Sequence, residues 1–550
     1  MRKLITFVIL LILIISTGYR VYNDLTYINM EELPYEYGEM IIVDDKIYKD
    51  DNILILEDKF YINWKLVKET MDEDIFFEED EDILIITSPT QVKRFKLDDT
   101  IATFNRKNVI IDEPIRKINN TAYIPLKLLE EEYKEKLDVG IYDSSIIIEF
   151  KDTLYIYGSL TKDEYLRYSP HEVSPVIGDI INKDTKLRVL QQEKGWFYVL
   201  TRDGRFGYVN PNSIIVDLSK EVFLGGIEDE DTNRRTRKVN MTWDYTYGVV
   251  RNVDNIKRIP GVNVISPTWF DVVDENGEIY DKGNRDYVSK YRDLGVDIWP
   301  SVTNEFDPAL TTGILNSSSM REKIINNLLD IFLSYGFQGI NIDFENVYYK
   351  DKDVMTQFMR ELYPIFRENN LVVSMDVTGI STSPTWSMFL DRQRLHKAVD
   401  YMVLMAYDQH WASSPIAGSV AEYTWVERSL TGVLELVPNE KMILAMPFYT
   451  RMWTTRDGKV SSQAIGMEAA NNFVKRNNIN LQWKDDIKQF YGRVDFEDYF
   501  HEIWIEDINS LFNKVSLVHK YDLAGVASWR KGFETPEVWP ALEDFLEEES

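Results

Sequence analysis

The sequence predicts an α/β protein whose C-terminal part, residues 239–550, folds as a closed (β/α)8 barrel of the TIM type. Eight apolar, β-rich runs follow one another there, and helical patterns such as Arg321–Leu333 and Val354–Arg367 separate them. Strands that alternate with helices form parallel βαβ units, and eight such units close a barrel whose catalytic groups lie at the C-terminal strand ends. The runs are Val239–Trp243, Val262–Pro267, Val296–Val302, Gly339–Phe344, Leu371–Val377, Tyr401–Tyr407, Met442–Phe448 and Gly525–Trp529.

The interval between the seventh and eighth predicted strands is long. It runs from about Thr450 to Tyr521, which leaves room for a small inserted α+β subdomain. We expect this insertion to form one wall of a cleft beside the strand ends.

The composition excludes several classes of function. A formal net charge of −29 opposes binding to nucleic acid or to an anionic membrane surface, because both carry negative charge. The absence of cysteine from the sequence excludes disulfides, thiolate metal sites and cysteine nucleophiles. With five histidines, a histidine-rich metal centre is not expected. Nothing in the sequence demands a metal ion or an organic cofactor.

Residues 1–22 have the pattern of a signal peptide or a signal anchor. A positively charged start precedes an apolar run from Leu4 to Ile15. No A-x-A cleavage site is visible, so cleavage near residues 16–18 and retention as a membrane anchor are both open. Both outcomes place the remaining chain outside the cytoplasm. We therefore expect a secreted or anchored cell-surface protein, and an exported chain without cysteine suits a Gram-positive bacterium.

Residues 23–150 contain an internal repeat that predicts a small α+β module. Phe60–Val67 reappears as Ala122–Leu129, and each copy runs through a charged helical stretch into a second β-type run. The Tyr-Ile-Pro-Leu segment followed by a helix and a strand resembles the repeat at the N-terminus of copper amine oxidases. The resemblance implies a stalk or a wall-binding module. It implies no copper chemistry, because the sequence shows no cluster of metal ligands.

Residues 151–217 predict a small all-β barrel, since short β runs alternate there with Gly and Pro turns. The order of these runs, with Gly195-Trp196 and Gly207-Tyr208-Val209, resembles a bacterial Src-homology-3-like domain. Relatives of that domain commonly bind cell-wall peptides, and a spacer that binds nothing is the alternative. Residues 218–238 are predicted to be a linker into the barrel.

One segment concentrates acids at a predicted strand end. In Gly339–Glu345, alternation along the strand directs Asn341, Asp343 and Glu345 towards the barrel axis, and directs the intervening apolar residues towards the helices. Asp343 and Glu345 therefore approach each other at the catalytic rim. Two carboxylates so close do not both ionise easily, so one of them holds a proton near neutral pH. A held proton is what a general acid needs.

This segment resembles the D-x-x-D-x-D-x-E motif on the fourth barrel strand of glycoside hydrolase family 18, the family of chitinases and related N-acetylglucosaminidases. The frame here begins at Gln338 and keeps the last two acids, whereas Gln338 and Asn341 stand at the two outer Asp positions. The N-x-D-F-E core is similar to the spore-germination branch of the family, which acts on peptidoglycan. The departure at Asn341 weakens any proton relay between two Asp residues.

Three further motifs resemble the family at predicted strand ends. Met405–Asp408 resembles M-x-Y-D on the sixth strand, and Met446–Arg451 resembles P-F-Y-x-R on the seventh. Gly525–Trp529 ends the eighth, where the family places a Trp under the sugar. The resemblance covers residues 238–545. It implies that Glu345, Asp343 and Tyr407 are catalytic. It implies substrate-binding positions at Asn341, Met405, Asp408, Tyr449, Arg451 and Trp529.

Several of these positions have a structural alternative. Met405 is expected to pack beside the site, Tyr449 and Arg451 can form an ion-pair and packing set at the rim, and Trp529 can be core. Trp243, Trp269 and Trp411 also fall near predicted strand ends and are weaker candidates for sugar stacking.

The mechanism that the resemblance implies is substrate-assisted and retaining. Glu345 protonates the glycosidic oxygen, Asp343 stabilises the 2-acetamido group, and Tyr407 orients it. The predicted partner is an N-acetylglucosamine-containing polymer, with peptidoglycan favoured over chitin. The N-terminal modules are expected to contact the cell wall, and only the N-terminal segment to contact the membrane. A non-catalytic sugar-binding barrel is the alternative from another class.

Overall fold

The structure is a computed structural model of the 550-residue chain, and it describes residues 11–21, 32–33, 39–142, 145–217, 237–246 and 253–547. Residues 11–21 are helical. The rest of the predicted 1–22 segment and most of the predicted linker, residues 218–236, lie outside the described residues. Within the described ranges, no helix combines the length and the apolar character needed to cross a membrane.

The chain divides into two compact units. The first unit comprises residues 1–75, 97–100 and 111–229, and the second comprises residues 76–96, 101–110 and 230–550. The second unit therefore contains the barrel together with a segment from the first third of the chain.

The first unit contains the repeat detected in the sequence. The two copies of the repeated segment form the antiparallel strands Lys59–Asn63 and Thr121–Pro125, which pair with Ile124 opposite Ile62. A short helix follows each strand, Trp64–Thr70 in one copy and Leu126–Glu132 in the other. Arg116–Ile118 and Ile53–Leu56 complete this four-stranded sheet, and a second sheet contains Leu137–Tyr142, Ser145–Phe150, Met40–Val43 and Lys46–Lys49.

An eight-stranded sheet completes the first unit. It is mostly antiparallel, and its core includes Leu166, Leu187 and Val199. Its order is Glu32–Leu33, Val176–Ile181, Glu164–Arg167, Phe206–Val209, Trp196–Leu200, Lys186–Glu193, Ile156–Leu160 and Ile214–Asp217. The predicted all-β architecture is confirmed, and the resemblance to a Src-homology-3-like domain stays a prediction.

The second unit is built on a closed barrel of eight parallel strands, as predicted. Each strand pairs with its sequence neighbours, and the first strand pairs with both the second and the eighth. The strands, in chain order, are Val239–Asp244, Val264–Val272, Ser301–Thr303, Gly339–Asp343, Val372–Thr378, Tyr401–Met405, Met442–Pro447 and Gly525–Trp529. Two short strands, Ile279–Asp281 and Asp297–Ile298, also pair with the second barrel strand.

Helices surround the barrel. The α-helices of this unit are Arg285–Asp293, Pro308–Leu315, Ser318–Tyr335, Lys352–Glu368, Arg392–Leu395, Tyr423–Leu434, Met467–Arg476, Ile508–Lys520 and Val538–Glu547. Local sequence sets several of their ends. The Ser317 hydroxyl accepts a hydrogen bond from Met320 N, and Gly336 ends the same helix with a left-handed φ of 73°.

The barrel has two apolar layers. Trp243, Trp299 and Val403 belong to a cluster inside the barrel, whereas Ile340 and Ile342 join the larger cluster between strands and helices. Gly339 makes the inner packing possible, because a Cβ there would come within 2.7 Å of the Trp299 ring. The fourth strand therefore turns its apolar residues outward and its polar residues towards the axis.

The predicted insertion follows the seventh strand. It is a five-stranded antiparallel sheet with one helix, Met467–Arg476. Its strands are Tyr449–Arg456, Lys459–Gly466, Gln482–Lys484, Gln489–Asp495 and Tyr499–Ile505.

A second antiparallel sheet belongs to the barrel unit. Its strands are Phe76–Glu78, Ile83–Thr87, Val92–Lys96, Ile101–Phe104 and Lys107–Ile110. Ile85 and Val92 from this sheet are fully buried in the same apolar cluster as the barrel helices.

Candidate active site

The fourth strand carries the two predicted acids to the C-terminal rim of the barrel. Asp343 ends the strand with 9% of its surface exposed, and Glu345 follows it, half-buried. Burial raises the pKa of the Asp343 carboxyl to about 7, although a hydrogen bond with Glu345 opposes this rise. Burial, the charge of Asp343 and its hydrogen bond, and the charge of Asp408 raise the pKa of Glu345 well above its usual value. Glu345 therefore keeps a proton at neutral pH beside an Asp343 that can ionise.

The backbone of Glu345 is fixed by a residue that the sequence did not reveal as functional. Asn304 follows the third strand and is fully buried. Its Oδ1 accepts a hydrogen bond from Glu345 N at 3.0 Å, and its Nδ2 donates to Glu345 O at 2.8 Å. Glu345 lies beyond the paired part of the fourth strand, so no neighbouring strand binds its backbone N–H and C=O there. The Asn304 side-chain amide binds both groups instead.

Asn341 lies below the acids and has two buried partners on the fifth strand. Its Nδ2 donates to Asp376 Oδ2 at 2.7 Å, and the Ser374 hydroxyl lies 2.8 Å from its Oδ1. Asn341 is fully buried, so it is placed beneath the acids as part of the barrel interior. Asp376 was also missed by sequence reasoning. Its only signal was an acid inside an otherwise apolar β run.

The loop after the sixth strand brings Tyr407 beside the acids. Burial first, and then the charge of Asp376, raises the pKa of Tyr407 well above its usual value, so its hydroxyl stays protonated. Asp343 and Glu345 contribute to the same rise. Met405 ends the sixth strand and is half-buried. Tyr407 can therefore donate a hydrogen bond in the space that the acids line.

Asp408 is exposed and is held by two residues of the insertion's first strand. The Tyr449 hydroxyl donates to Asp408 Oδ1 at 2.7 Å, and Arg451 Nη2 lies 2.9 Å from the same oxygen. Asp408 has a left-handed φ of 56°. The rings of Tyr407 and Tyr449 meet edge to face with their centres 6.4 Å apart. These contacts join the predicted M-x-Y-D and P-F-Y-x-R motifs into one rim.

Trp529 ends the eighth strand and is half-buried among aromatic rings. Its ring centre lies 5.6 Å from that of Trp243 and 6.5 Å from that of Tyr245. Trp243 and Trp269 are 1% and 0% exposed, so the weaker prediction that they stack on sugars is wrong. Both residues lie near predicted strand ends, but the sequence does not tell whether a side chain there packs into the core or faces the substrate. Trp411 is 54% exposed in the loop after the sixth strand.

The fold and the rim together indicate an acid–base site at the mouth of a barrel. A (β/α)8 barrel presents a protonated carboxyl, an ionisable carboxyl and a half-buried tyrosine at its C-terminal rim. The arrangement can donate a proton to a bound group and stabilise a neighbouring positive charge. Within the described residues, no group of three or more His, Cys, Asp or Glu side chains has the arrangement of a metal site.

The comparisons with known proteins name the family. Residues 269–533 match the family model described as Glycosyl hydrolases family 18, and residues 40–148 match the Copper amine oxidase N-terminal domain. The predicted resemblances to these two families are therefore confirmed, the first over residues 269–533 and the second over residues 40–148.

Two of the similar proteins come from Bacillus subtilis. The chain is 30% identical to the "Putative sporulation-specific glycosylase YdhD" of Bacillus subtilis over 42% of this chain and 56% of the relative. It is 26% identical to the "Cortical fragment-lytic enzyme" of the same organism over 44% of this chain and 57% of the relative. The chain thus spans just over half the length of these two curated relatives. The structure of the Bacillus cereus spore cortex-lytic enzyme SleL shares the fold, with a TM-score of 0.52, 20% identity, and coverage of 56% of this chain and 74% of SleL.

Proposed function

We propose that this protein is a glycoside hydrolase that cleaves a β-linked, N-acetylglucosamine-containing polymer, with peptidoglycan favoured over chitin. The observation that carries the proposal is the pairing of a protonated Glu345 with an ionisable Asp343 at the rim of a family 18 barrel domain.

The proposed reaction is substrate-assisted and retains the anomeric configuration. Glu345 gives its proton to the glycosidic oxygen as the bond from that oxygen to the anomeric carbon breaks. The oxygen of the 2-acetamido group attacks the same carbon and forms an oxazolinium ion. Water then attacks this carbon and reopens the ring, and its proton returns to the Glu345 carboxylate.

The other residues of the rim act on the acetamido group and on the sugar ring. Ionised Asp343 accepts a hydrogen bond from the acetamido N–H and stabilises the positive charge that develops on the oxazolinium ring. The Tyr407 hydroxyl donates to the acetamido oxygen and aligns it for attack. Asp408, held by Tyr449 and Arg451, contacts the substrate from the insertion side, and Trp529 stacks beneath the sugar.

The choice of peptidoglycan is supported by the relatives rather than by the site alone. The names of two similar proteins refer to lysis of the spore cortex or of cortical fragments. The N-x-D-F-E core of residues 341–345 agrees with this branch. Chitin remains the second candidate substrate in the same class.

We also propose where the protein works. A signal peptide or signal anchor in residues 1–22 would export the chain from a Gram-positive cell. The modules predicted at 23–150 and 151–217 would then hold the barrel of residues 239–550 near the wall. The membrane would be contacted only through the N-terminal segment.

The test is digestion of purified peptidoglycan and of chitin oligomers by the full chain and by Glu345→Gln, with mass spectrometry of the fragments. The wild type is expected to release fragments with a new reducing N-acetylglucosamine end, and Glu345→Gln to lose at least a hundredfold in rate. Equal and negligible release by both proteins would instead identify a non-catalytic sugar-binding barrel. Faster release from chitin oligomers than from peptidoglycan would overturn the choice of substrate.

A further inference from the structure

Asp376 is a buried acid to which the proposed reaction gives no role. It lies on the fifth barrel strand with only 2% of its surface exposed. Its Oδ2 accepts a hydrogen bond from Asn341, but no amide, hydroxyl or basic group of the described residues donates to its Oδ1. A carboxylate is costly in such a position unless it is paired, whereas a carboxylic acid can use that oxygen as a donor.

The strand register brings Asp343 beside Asp376. The parallel register pairs Asn341 with Ser374 and Ile342 with Met375, and one step further along it sets Asp343 opposite Asp376. Side chains at alternate positions share a face, so both carboxyls point towards the barrel axis from strands about 5 Å apart. Asp343 Oδ1 likewise accepts no hydrogen bond from an amide, a hydroxyl or a basic group in the described residues.

The Asn341 amide determines which Asp376 oxygen is available. With Asn341 Oδ1 facing the Ser374 hydroxyl, its Nδ2 faces Asp376 Oδ2 and occupies that oxygen. Asp376 Oδ1 is left for a proton. An Asp at position 341, as in the family frame, would offer no such N–H and would place a further negative charge in the barrel.

Among the described residues, no cation is one of the side chains that act on the Asp376 carboxyl. They are Asp343 on the fourth strand, Glu345 beyond that strand, and the Asn341 amide, and Asp376 in turn acts on Tyr407 beyond the sixth strand. Burial first, and then the charges of Asp343 and Glu345, raise the pKa of Asp376 well above its usual value, while the Asn341 hydrogen bond lowers it. A proton on Asp376 is thus consistent with the geometry.

We infer that Asp376 is a positioning acid, which stays protonated and donates a hydrogen bond from Oδ1 to the carboxylate of Asp343. The inference rests on the proposed roles of Asp343 and Glu345. The hydrogen bond keeps Asp343 ionised, and its side chain oriented, while Glu345 keeps the proton that goes to the substrate. The acid that the family frame has at position 341 is replaced by one on the neighbouring strand.

The first test compares Asp376→Leu with Asp376→Asn in the full chain. Leucine removes the donor, and asparagine keeps one that cannot ionise. Loss of a hydrogen bond to the Asp343 carboxylate raises the pKa of Asp343. The acid limb of the profile of kcat against pH, where kcat decreases as Asp343 becomes protonated, should therefore move up by about one pH unit in Asp376→Leu. Asp376→Asn should leave the limb near its wild-type position and retain about tenfold more activity than Asp376→Leu.

Asn341→Asp and Asp400→Asn are the controls. Asn341→Asp adds an acid beside Asp343 and Asp376, so its acid limb should also move to higher pH. Asp400 is a buried acid whose Oδ2 accepts a hydrogen bond, at 2.8 Å, from Val373 N on the strand that carries Asp376. Asp400→Asn should therefore lower stability without moving the acid limb of kcat. An acid limb of kcat at the wild-type pH in Asp376→Leu would overturn the inference. So would an activity of Asp376→Asn as low as that of Asp376→Leu.

A second measurement does not depend on activity. Infrared spectroscopy separates the C=O stretch of a protonated carboxyl from the stretches of a carboxylate. The difference between wild type and Asp376→Asn near pH 7 should contain a lost carboxylic-acid band. Loss of carboxylate bands instead would refute the inference. If the wild type cleaves no polymer, the proposed function fails while this measurement still decides the protonation of Asp376.

Discussion

Asn304 holds the backbone of Glu345 from both sides, accepting from its N–H at 3.0 Å and donating to its carbonyl at 2.8 Å. The same Nδ2 also donates to the Thr311 hydroxyl at 2.8 Å, which fixes the amide in this orientation. The general acid of the proposed reaction is therefore positioned through its main chain by a residue from the preceding βα loop.

Asn304→Ala should lower kcat by about ten- to a hundredfold, because small displacements of a catalytic group have effects of this size. It should also destabilise the fold by about 1–3 kcal/mol, since two buried backbone groups lose their partner. Steady-state kinetics and denaturant unfolding would measure both. Asn513→Ala is the control and should change neither, because the Asn513 side chain lies on a helix surface and its Nδ2 donates to Asn509 O of the same helix. Unchanged kcat in Asn304→Ala would contradict a positioning role.

The acid pair predicts the pH dependence of hydrolysis. Activity requires ionised Asp343 and protonated Glu345. As the pH falls below about 7, Asp343 becomes protonated, so kcat should decrease and give the pH profile its acid limb. An alkaline limb should follow where Glu345 loses its proton. Asp343→Asn should remove the acid limb and lower kcat. An acid limb near pH 4 in the wild type would show that burial does not control this pair.

Asp408 is predicted to move the alkaline limb of kcat to higher pH, as a smaller contribution than burial and Asp343. Its negative charge is one of the causes that raise the pKa of Glu345. Asp408→Asn removes that charge, so the pKa of Glu345 should fall and the alkaline limb of kcat should move to lower pH. Tyr449→Phe is the matched comparison, because it removes a hydrogen bond to Asp408 but keeps the charge. Tyr449→Phe should raise KM severalfold and leave the alkaline limb of kcat at its wild-type pH. An alkaline limb at the same pH in wild type, Asp408→Asn and Tyr449→Phe would refute the role of the Asp408 charge.

The sequence predicts the barrel well because its strands and helices follow from hydrophobic patterns within short segments. Alternating apolar runs and helical periods placed six of the eight strands within two residues of their observed bounds, and the D-x-E spacing of Asp343 and Glu345 placed two acids on one face. The other two strands differ from the prediction, because the second extends to Val272 and the third is confined to Ser301–Thr303. Asp376 and Asn304 were missed because their roles depend on the register between strands. A single Asp in an apolar run carries no mark of the side chain opposite it.

The acidic run near residues 69–82 shows the same limit. Nine acids and no base between Glu69 and Asp82 predict a solvated helix face and loop. Glu78 Oε2 nevertheless lies 3.0 Å from Nη1 of the fully buried Arg321 on a barrel helix. Glu81 likewise accepts hydrogen bonds from Ser317 at 2.6 Å and from Ser319 N at 3.0 Å. Such partners lie more than 200 residues away in the chain, so local sequence cannot reveal them.

These contacts belong to a buried ion network that ties the sheet of residues 76–110 to the barrel helices. Glu361 is fully buried, and its carboxylate lies 2.5 Å from Arg94 Nη2 on the sheet and 3.0 Å from Arg321 Nη2 on a helix. Burial raises the pKa of Glu361, but Arg321 and Arg94 outweigh this and hold it below its usual value. The carboxylate is therefore ionised at neutral pH and balances two buried cations.

Glu361→Gln should destabilise the barrel unit by about 3–5 kcal/mol, because it leaves two buried guanidinium groups with one acid fewer. Denaturant unfolding of the full chain, followed by tryptophan fluorescence, would measure the loss. Glu368→Gln is the control, since Glu368 pairs with Lys107 at 2.8 Å on the surface of the same sheet and helix, and should cost at most about 1 kcal/mol. Because the pKa of Glu361 is lowered in the folded state, its contribution should be constant above about pH 5, where the unfolded Glu is ionised, and should be lost progressively as the pH falls from there through the lowered value. A variant as stable as Glu368→Gln would show that the sheet of residues 76–110 is held by its apolar contacts through Ile85 and Val92 and not by the ion network.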